Sequence, residues 1–273
     1  MIKEFAYAKI NLALEVMELV DGYHKVNNLM VPINIYDELS FEVADRIYVV
    51  DDPFSDNLCV KAAKLFIDKY KIKSGVEITL NKNIPYEAGL AGGSSDAAAT
   101  LRGLNKLFNI NASDSELKEL ASKIGSDVPF FIESKAALCK NRGEVIEPLN
   151  IKMPNIDLLL IKPNTGLSTK EVYANYKYKG ISKGNRINNI IKGLKDNDIN
   201  LVKANIFNDL ASVALNLNKE LKDIYNILDN YDIKPYLSGS GPTIYLINPK
   251  ESDEEIINKL FVGKMYVKKC NIL

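Results

Sequence analysis

The chain has 273 residues, of which 47% are hydrophobic, enough to bury one large core or two smaller ones. Its 35 basic residues balance 35 acidic ones, so no global field draws it to nucleic acid or to an anionic membrane, and any anion must be bound locally. No run approaches the roughly 18 apolar residues of a membrane span, and the amino terminus carries no apolar signal core, so the expectation is a soluble cytoplasmic protein.

In chain order, "FAYAKINLALEV" reads as the first strand. It places Lys9 and Asn11 on one face of an otherwise apolar segment, because side chains alternate, and a charge there asks for a partner or a task. "DGYH" follows at 21–24. His24 is the only histidine, so it cannot belong to a multi-histidine metal site, and beside Gly22 it reads locally as part of a turn. "NLMVPINI", "LSFEV", "RIYVV" and "GVEITL" read as further strands. Between the last two, apolar Leu58, Ala62, Leu65, Phe66 and Tyr70 recur at helical spacing and predict a helix over 57–71. Cys59, Cys139 and Cys270 lack the spacing of a zinc or redox site and read as buried thiols, which argues against a structural metal.

"NIPYEAGLAGGSSDAAAT" then presents a glycine loop ahead of an alanine-rich helix on which Ala97, Leu101, Leu104 and Phe108 share a face. A helix amino terminus with flanking glycines can cradle phosphate on backbone N–H groups. Yet no lysine follows the loop, so it is neither a Walker loop nor a dinucleotide fingerprint. A glycine turn with Ser94 as N-cap would explain much of the same pattern. Ser113 with Glu116 predicts a capping box, as does Ser252 with Glu255. Asp127, in "IGSDVPFFI", stands in a turn between a helix and an apolar run, where an Asx turn is the ordinary reading. A polar, proline-containing stretch at 150–155 divides the chain into expected domains at 1–152 and 153–273. Beyond it, "DLLLIKP" reads as a buried strand and "NKELKDIYNILDN" as a helix. "KPYLSGSGPTIYLI" reads as strand, glycine turn and strand, with a helix over 254–260 and a strand at "KMYVKK" to finish.

The order of K-I-N-L, P-x-x-x-G-L-x-G-G-S-S and S-G-S-G-P-T resembles the GHMP kinase superfamily of small-molecule kinases. "DGYH", "GSDVPFF" at 125–131 and "NDLASVA" at 208–214 narrow the resemblance to the branch that phosphorylates 4-diphosphocytidyl-2-C-methylerythritol in the non-mevalonate isoprenoid pathway. The match runs in the same order from Ala8 to about Leu246. It implies an α+β, two-lobed fold whose amino-terminal domain has a left-handed βαβ crossover, against the usual hand, and whose carboxyl-terminal domain is ferredoxin-like.

It also implies roles. Lys9 and Asp127 match a catalytic lysine and its aspartate partner. Pro85, Gly89, Leu90, Ala91, Gly92, Gly93, Ser94 and Ser95 would hold ATP, with Ser95 the contact to Mg²⁺. Tyr23 and Tyr173 would sandwich a cytosine read by His24, while Asn11, Thr169, Gly239 and Gly241 would complete the substrate site. The expected partner is a small molecule carrying a cytidine diphosphate, with no nucleic acid or membrane, in a monomer or homodimer. Two departures stand out: Ala91 replaces a glycine common in the superfamily, and "VADRIYVVDDPFSDN" is short where relatives build the adenine pocket. Other readings are a kinase for mevalonate or homoserine, a silent ligand-binding relative, and an RNA-binding module.

Overall fold

The computed structural model describes residues 1–51, 57–181 and 183–273; part of the shortened adenine-pocket stretch, residues 52–56, lies outside them. β1 (Ile2–Val20) and β2 (Tyr23–Ala44) form one long antiparallel hairpin closed at Asp21 and Gly22, both at positive φ. Register shifts at Tyr7/Ala8 and Asn11/Ala13 bracket Lys9 and Asn11. Such bulges bend a strand and re-aim the side chains beside them.

"NLMVPINI" and "LSFEV" are therefore a single strand and not two. The polar Asp37 between them looks like a break in the sequence, but it is fully buried. Its carboxylate accepts the backbone N–H of Asn83 (2.5 Å) and of Ile84 (2.8 Å), so it ties the next segment down without turning the chain. β3 (Tyr48–Val49) keeps two residues of the predicted "RIYVV" strand and pairs in parallel with β4 (Gly75–Asn81).

α1 (Leu58–Tyr70) starts where its pattern predicts, with the Asn57 side chain capping Cys59 N–H at 2.8 Å. α2 (Gly92–Leu107) begins at the glycine loop, and α3 (Asp114–Ser122) carries the expected Ser113–Glu116 capping box. The short α4 (Phe130–Glu133) follows the turn holding Asp127, then β5 (Ala137–Asn141) and β6 (Val145–Pro148) form a hairpin. β4 and β5 both line the edge of β2 away from β1. α2 lies on this sheet, burying Ala97, Leu101 and Leu104 with Phe41 and Phe66.

In the second half, β7 (Asp157–Lys162) is the apolar strand predicted from "DLLLIK". α5 (Thr169–Asn175), α6 (Arg186–Asp196) and α7 (Ile199–Asn205) lead to β8 (Phe207–Asn208), which returns to pair in parallel with β1. α8 (Ala211–Leu217) and α9 (Lys219–Asp229) precede β9 (Tyr236–Leu237) and β10 (Ile244–Ile247), which flank the predicted glycine turn. α10 (Glu251–Phe261) and β11 (Tyr266–Asn271) close the chain. Four strands form an antiparallel sheet in the order β11-β7-β10-β9.

α10 starts earlier than Ser252 would place it. Its cap is Lys250, whose backbone N–H donates to the Asp253 carboxylate at 3.0 Å. Asp253 is an equally good partner one turn in, so the acidic run Asp253, Glu254, Glu255 leaves the start ambiguous from sequence. A shared core joins both halves: Ile10, Leu12 and Ile33 of the first sheet pack with Leu158, Leu160 and Tyr245 of the second.

Candidate active site

Three segments converge on Gly89. The glycine loop meets the edge of β1, where the Lys9 backbone N–H donates to Leu90 O (3.2 Å). This is the edge that β8 also occupies farther along. From the other half, the turn at Ser238 to Thr243 docks onto the same loop. Ser238 Oγ donates to Gly89 O (2.9 Å) and Thr243 N–H to Ala88 O (3.3 Å). Gly89 has φ +71, and a Cβ there would lie 2.4 Å from Ser238 O and 2.7 Å from Gly241 O, so only glycine fits this crossing.

Lys9 sits in the middle of this junction, almost fully buried, and its ammonium donates to Asn11 Oδ1 (2.7 Å) and Gly89 O (2.7 Å). Asn11 is held in turn. Its amide donates to Asn28 Oδ1 (2.5 Å), and its backbone carbonyl accepts from the Tyr245 hydroxyl (2.7 Å). Burial lowers the pKa of Lys9, and the Asp127 carboxylate is the largest influence opposing it. The two groups therefore sense each other across the cleft, but Lys9 makes no ion pair with Asp127; its bonded partners are Asn11 and Gly89. The direct pair implied by the resemblance is absent because β1 aims the ammonium at the loop carbonyl.

A cleft of about 1070 Å³ is lined by Lys9, Asn11, Tyr23, His24, Asp127, Thr169, Tyr173 and Gly239, and by loop residues Pro85, Gly89, Ala91, Gly92, Gly93 and Ser94. Leu90 is buried behind the loop, and Gly241 is buried beneath its turn at φ +84. Ser95 is fully buried too, its Oγ with no hydrogen-bond partner among the described residues, so Ser94 is the one of the two that presents itself to the cleft. The N-cap of α2 is Ala91, not Ser94, and no side chain caps the helix. Its first N–H groups thus lack an internal acceptor, which is the state of an anion-binding helix terminus. Ala91 adopts the left-handed conformation that favours glycine, φ 56, at a cost of roughly 1–2 kcal/mol.

At the other end of the cleft, His24 Nδ1 lies 2.7 Å from Met17 O. A carbonyl only accepts, so Nδ1 carries a proton, and in the neutral ring Nε2 is then the acceptor. Tyr173 is 6.2 Å from the His24 ring between centroids, and Tyr176 stands edge-on to it at 5.4 Å with its hydroxyl donating to Val16 O (3.0 Å). Thr169 Oγ1 is 2.8 Å from Ser240 Oγ, which links α5 to the glycine turn.

The sequence reading missed the cation beside the loop. Lys82 lines the cleft, and its Nζ would lie 3.3 Å from a Cβ on Gly92. It bridges Asp37 (2.5 Å) and Asp96 (2.7 Å), both buried. Lys82 precedes Pro85 by three positions, a signal that was available; nothing in the string pointed to Asp37. Asn208 was missed as a strut. Its amide donates to Leu237 O (3.0 Å) and Gly239 O (2.7 Å) and so holds the glycine turn against β8.

The GHMP kinases N terminal domain model matches residues 57–135 and the GHMP kinases C terminal model residues 190–265. The chain is 42% identical over 255 residues to a 4-diphosphocytidyl-2-C-methyl-D-erythritol kinase of Clostridium perfringens, covering 89% of this chain and 88% of that one. The chain belongs to this kinase family. A Clostridium tetani member is 41% identical over 264 residues, covering 93% and 94%. The crystal structure of a 4-(cytidine 5'-diphospho)-2C-methyl-D-erythritol kinase superposes with a TM-score of 0.82 at 26% identity, covering 99% of this chain and 98% of that one. The α+β GHMP kinase fold, with its amino- and carboxyl-terminal parts, follows from these matches, and the protein is a small-molecule kinase.

Proposed function

We propose that the protein transfers the γ-phosphoryl group of ATP to the 2-hydroxyl of 4-diphosphocytidyl-2-C-methyl-D-erythritol, in the non-mevalonate route to isoprenoid precursors. The observation that carries this reading is the single cleft in which an uncapped helix terminus, Lys9, Asp127 and a tyrosine–histidine–tyrosine cluster face one another. The first three suit phosphoryl transfer, where positioning and charge neutralisation do most of the work. The last suits a pyrimidine base, whose stacking on an aromatic ring contributes about 1–3 kcal/mol. Nε2 of His24, left as acceptor by the bond to Met17 O, complements the exocyclic amine of cytosine.

Asp127 would take the hydroxyl proton. A carboxylate is a weak base, so its value lies in reaching hydrogen-bond distance of the acceptor oxygen as the phosphoryl group arrives. Lys9 would stabilise the negative charge that develops on that oxygen. The α2 amides and Ser94 would hold the ATP phosphates, with Lys82 at their flank. Mg²⁺ fits as an ion that comes with the nucleotide. No cluster of three acidic, histidine or cysteine ligands exists among the described residues, whereas the cleft offers the Ser94 hydroxyl and the Asp127 carboxylate, with the orphaned Ser95 Oγ just behind the loop. When bound it would neutralise phosphate charge. The domains at 1–152 and 153–273 would contribute the loop and the glycine turn to opposite sides of the site. No helix among the described residues is long and apolar enough to cross a membrane, which is compatible with the proposed cytoplasmic location.

The test measures turnover and thermal unfolding on Lys9→Ala and Asp127→Asn together. Because no ion pair joins the two, Asp127→Asn is expected to unfold within a few degrees of wild type while kcat falls by about 10²–10⁴. A folded variant of either kind with near-normal turnover contradicts the assignment.

A further inference from the structure

The proposed substrate places two negative phosphates between its base and its reacting hydroxyl, and this inference rests on that reading. Among the described residues, four cations line the cleft: Lys9, Lys82, Arg142 and Lys170. Lys9 and Lys82 already have protein partners, Asn11 and Gly89 for the first and two buried aspartates for the second. Lys170 comes from the exposed start of α5.

Arg142 differs from all three in where its two ends lie. It follows β5 in the β5–β6 turn, and its neighbour Gly143, at φ +115, approaches the proposed base so closely that a Cβ would lie 3.7 Å from Asp127 Oδ1. The guanidinium extends from there to the base-binding end, with its central carbon 4.8 Å from the centroid of the Tyr23 ring. Among the described residues its ion-pair partner is Glu144, 3.9 Å from Nε and too far for a hydrogen bond, and the Arg142 side chain is half exposed. So one side chain spans the two ends of the cleft, and no hydrogen bond engages its guanidinium among the described residues. A guanidinium resting on an aromatic face is fixed in place yet keeps its in-plane N–H groups available, and their fork matches phosphate oxygens two at a time.

We propose that Arg142 is a specificity-determining residue that binds the diphosphate of the substrate, so that the base held at Tyr23 and the hydroxyl presented to Asp127 are set at a fixed separation. A kinase for an uncharged alcohol would have no use for a cation at that point.

Calorimetric titration of wild type, Arg142→Met and Arg142→Lys with cytidine 5'-diphosphate and with cytidine tests this. Wild type is expected to prefer the diphosphate, and Arg142→Met to lose about ten- to a hundredfold in that affinity, the span of a charge-assisted hydrogen bond, while cytidine binding changes by less than about threefold. Arg142→Lys keeps the charge without the fork and is expected to fall between. An unchanged ratio of the two affinities in Arg142→Met, in protein whose unfolding temperature matches wild type, overturns the proposal. Wild-type protein that binds neither ligand overturns the kinase reading beneath it as well.

Discussion

At the scale of single residues, the least legible part of the site is the buried trio Asp37, Lys82 and Asp96. Lys9 was visible in the sequence because a charge interrupts an apolar strand. Asp96 was visible only as an acid near a helix start, and its role depends on β2 and β4 bringing Asp37 and Lys82 to it, which no local pattern encodes. Two carboxylates share one ammonium there. Burial raises the pKa of Asp96 to about 7; Lys82 opposes the shift and Asp37 adds to it. Since that value lies above the roughly 3.9 of an unfolded chain, the folded protein holds a proton that the unfolded chain releases. The stability contributed by this group is complete below about pH 4 and lost as pH climbs through 7. Lys82, raised in pKa, works at the far end of the scale, where its contribution is lost only above its unfolded value of 10.5. Urea unfolding at pH 5 and pH 8 should therefore show wild type losing roughly 2 kcal/mol relative to Asp96→Asn over that interval. Parallel pH profiles would mean that Asp96 is ionised throughout.

At the scale of elements, periodicity and capping did most of the predictive work. α1 and the α3 capping box sit where their residues put them, because both signals are local and physical: a side chain satisfies a nearby orphan N–H. The misses share a cause as well. β2 was split because a buried Asp looks like a turn residue, and α10 was started late because adjacent acids offer alternative caps. How closely α2 approaches the sheet could not be read at all. Gly103, inside an otherwise ordinary helix, faces Phe41 so tightly that a Cβ would lie 2.3 Å from the ring. Phe41 is fully buried in the core and cannot step aside. Gly103→Ala gains helix propensity of about 1 kcal/mol but overpacks this contact, so a net loss of roughly 1–3 kcal/mol is expected in chemical denaturation. A neutral or stabilised variant would show that α2 can ride outward on the sheet, carrying the glycine loop with it.

At the scale of the whole molecule, the site exists because two halves of the chain meet at one glycine. The loop at Gly89 is fixed from below by Lys9 and from above by Ser238, and the turn above is braced by Asn208 on a strand that has crossed back to β1. The family resemblance identified the ends of this arrangement, since its motifs are the residues that meet there. Of the struts between them, Asn28 and Tyr245 carry no motif of their own, while Asn208 opens the "NDLASVA" motif without any local sign of what it braces, and all three become meaningful only once the strands are assembled. The cleft enclosed in this way has a phosphate end and a base end, and the claim that both are used by one substrate is the center of the account. A coupled assay of ADP release from ATP, offering 4-diphosphocytidyl-2-C-methyl-D-erythritol, mevalonate and homoserine in parallel, tests it most directly. Release with the first alone is the predicted result; comparable release with mevalonate or homoserine, or none with the first, would contradict it.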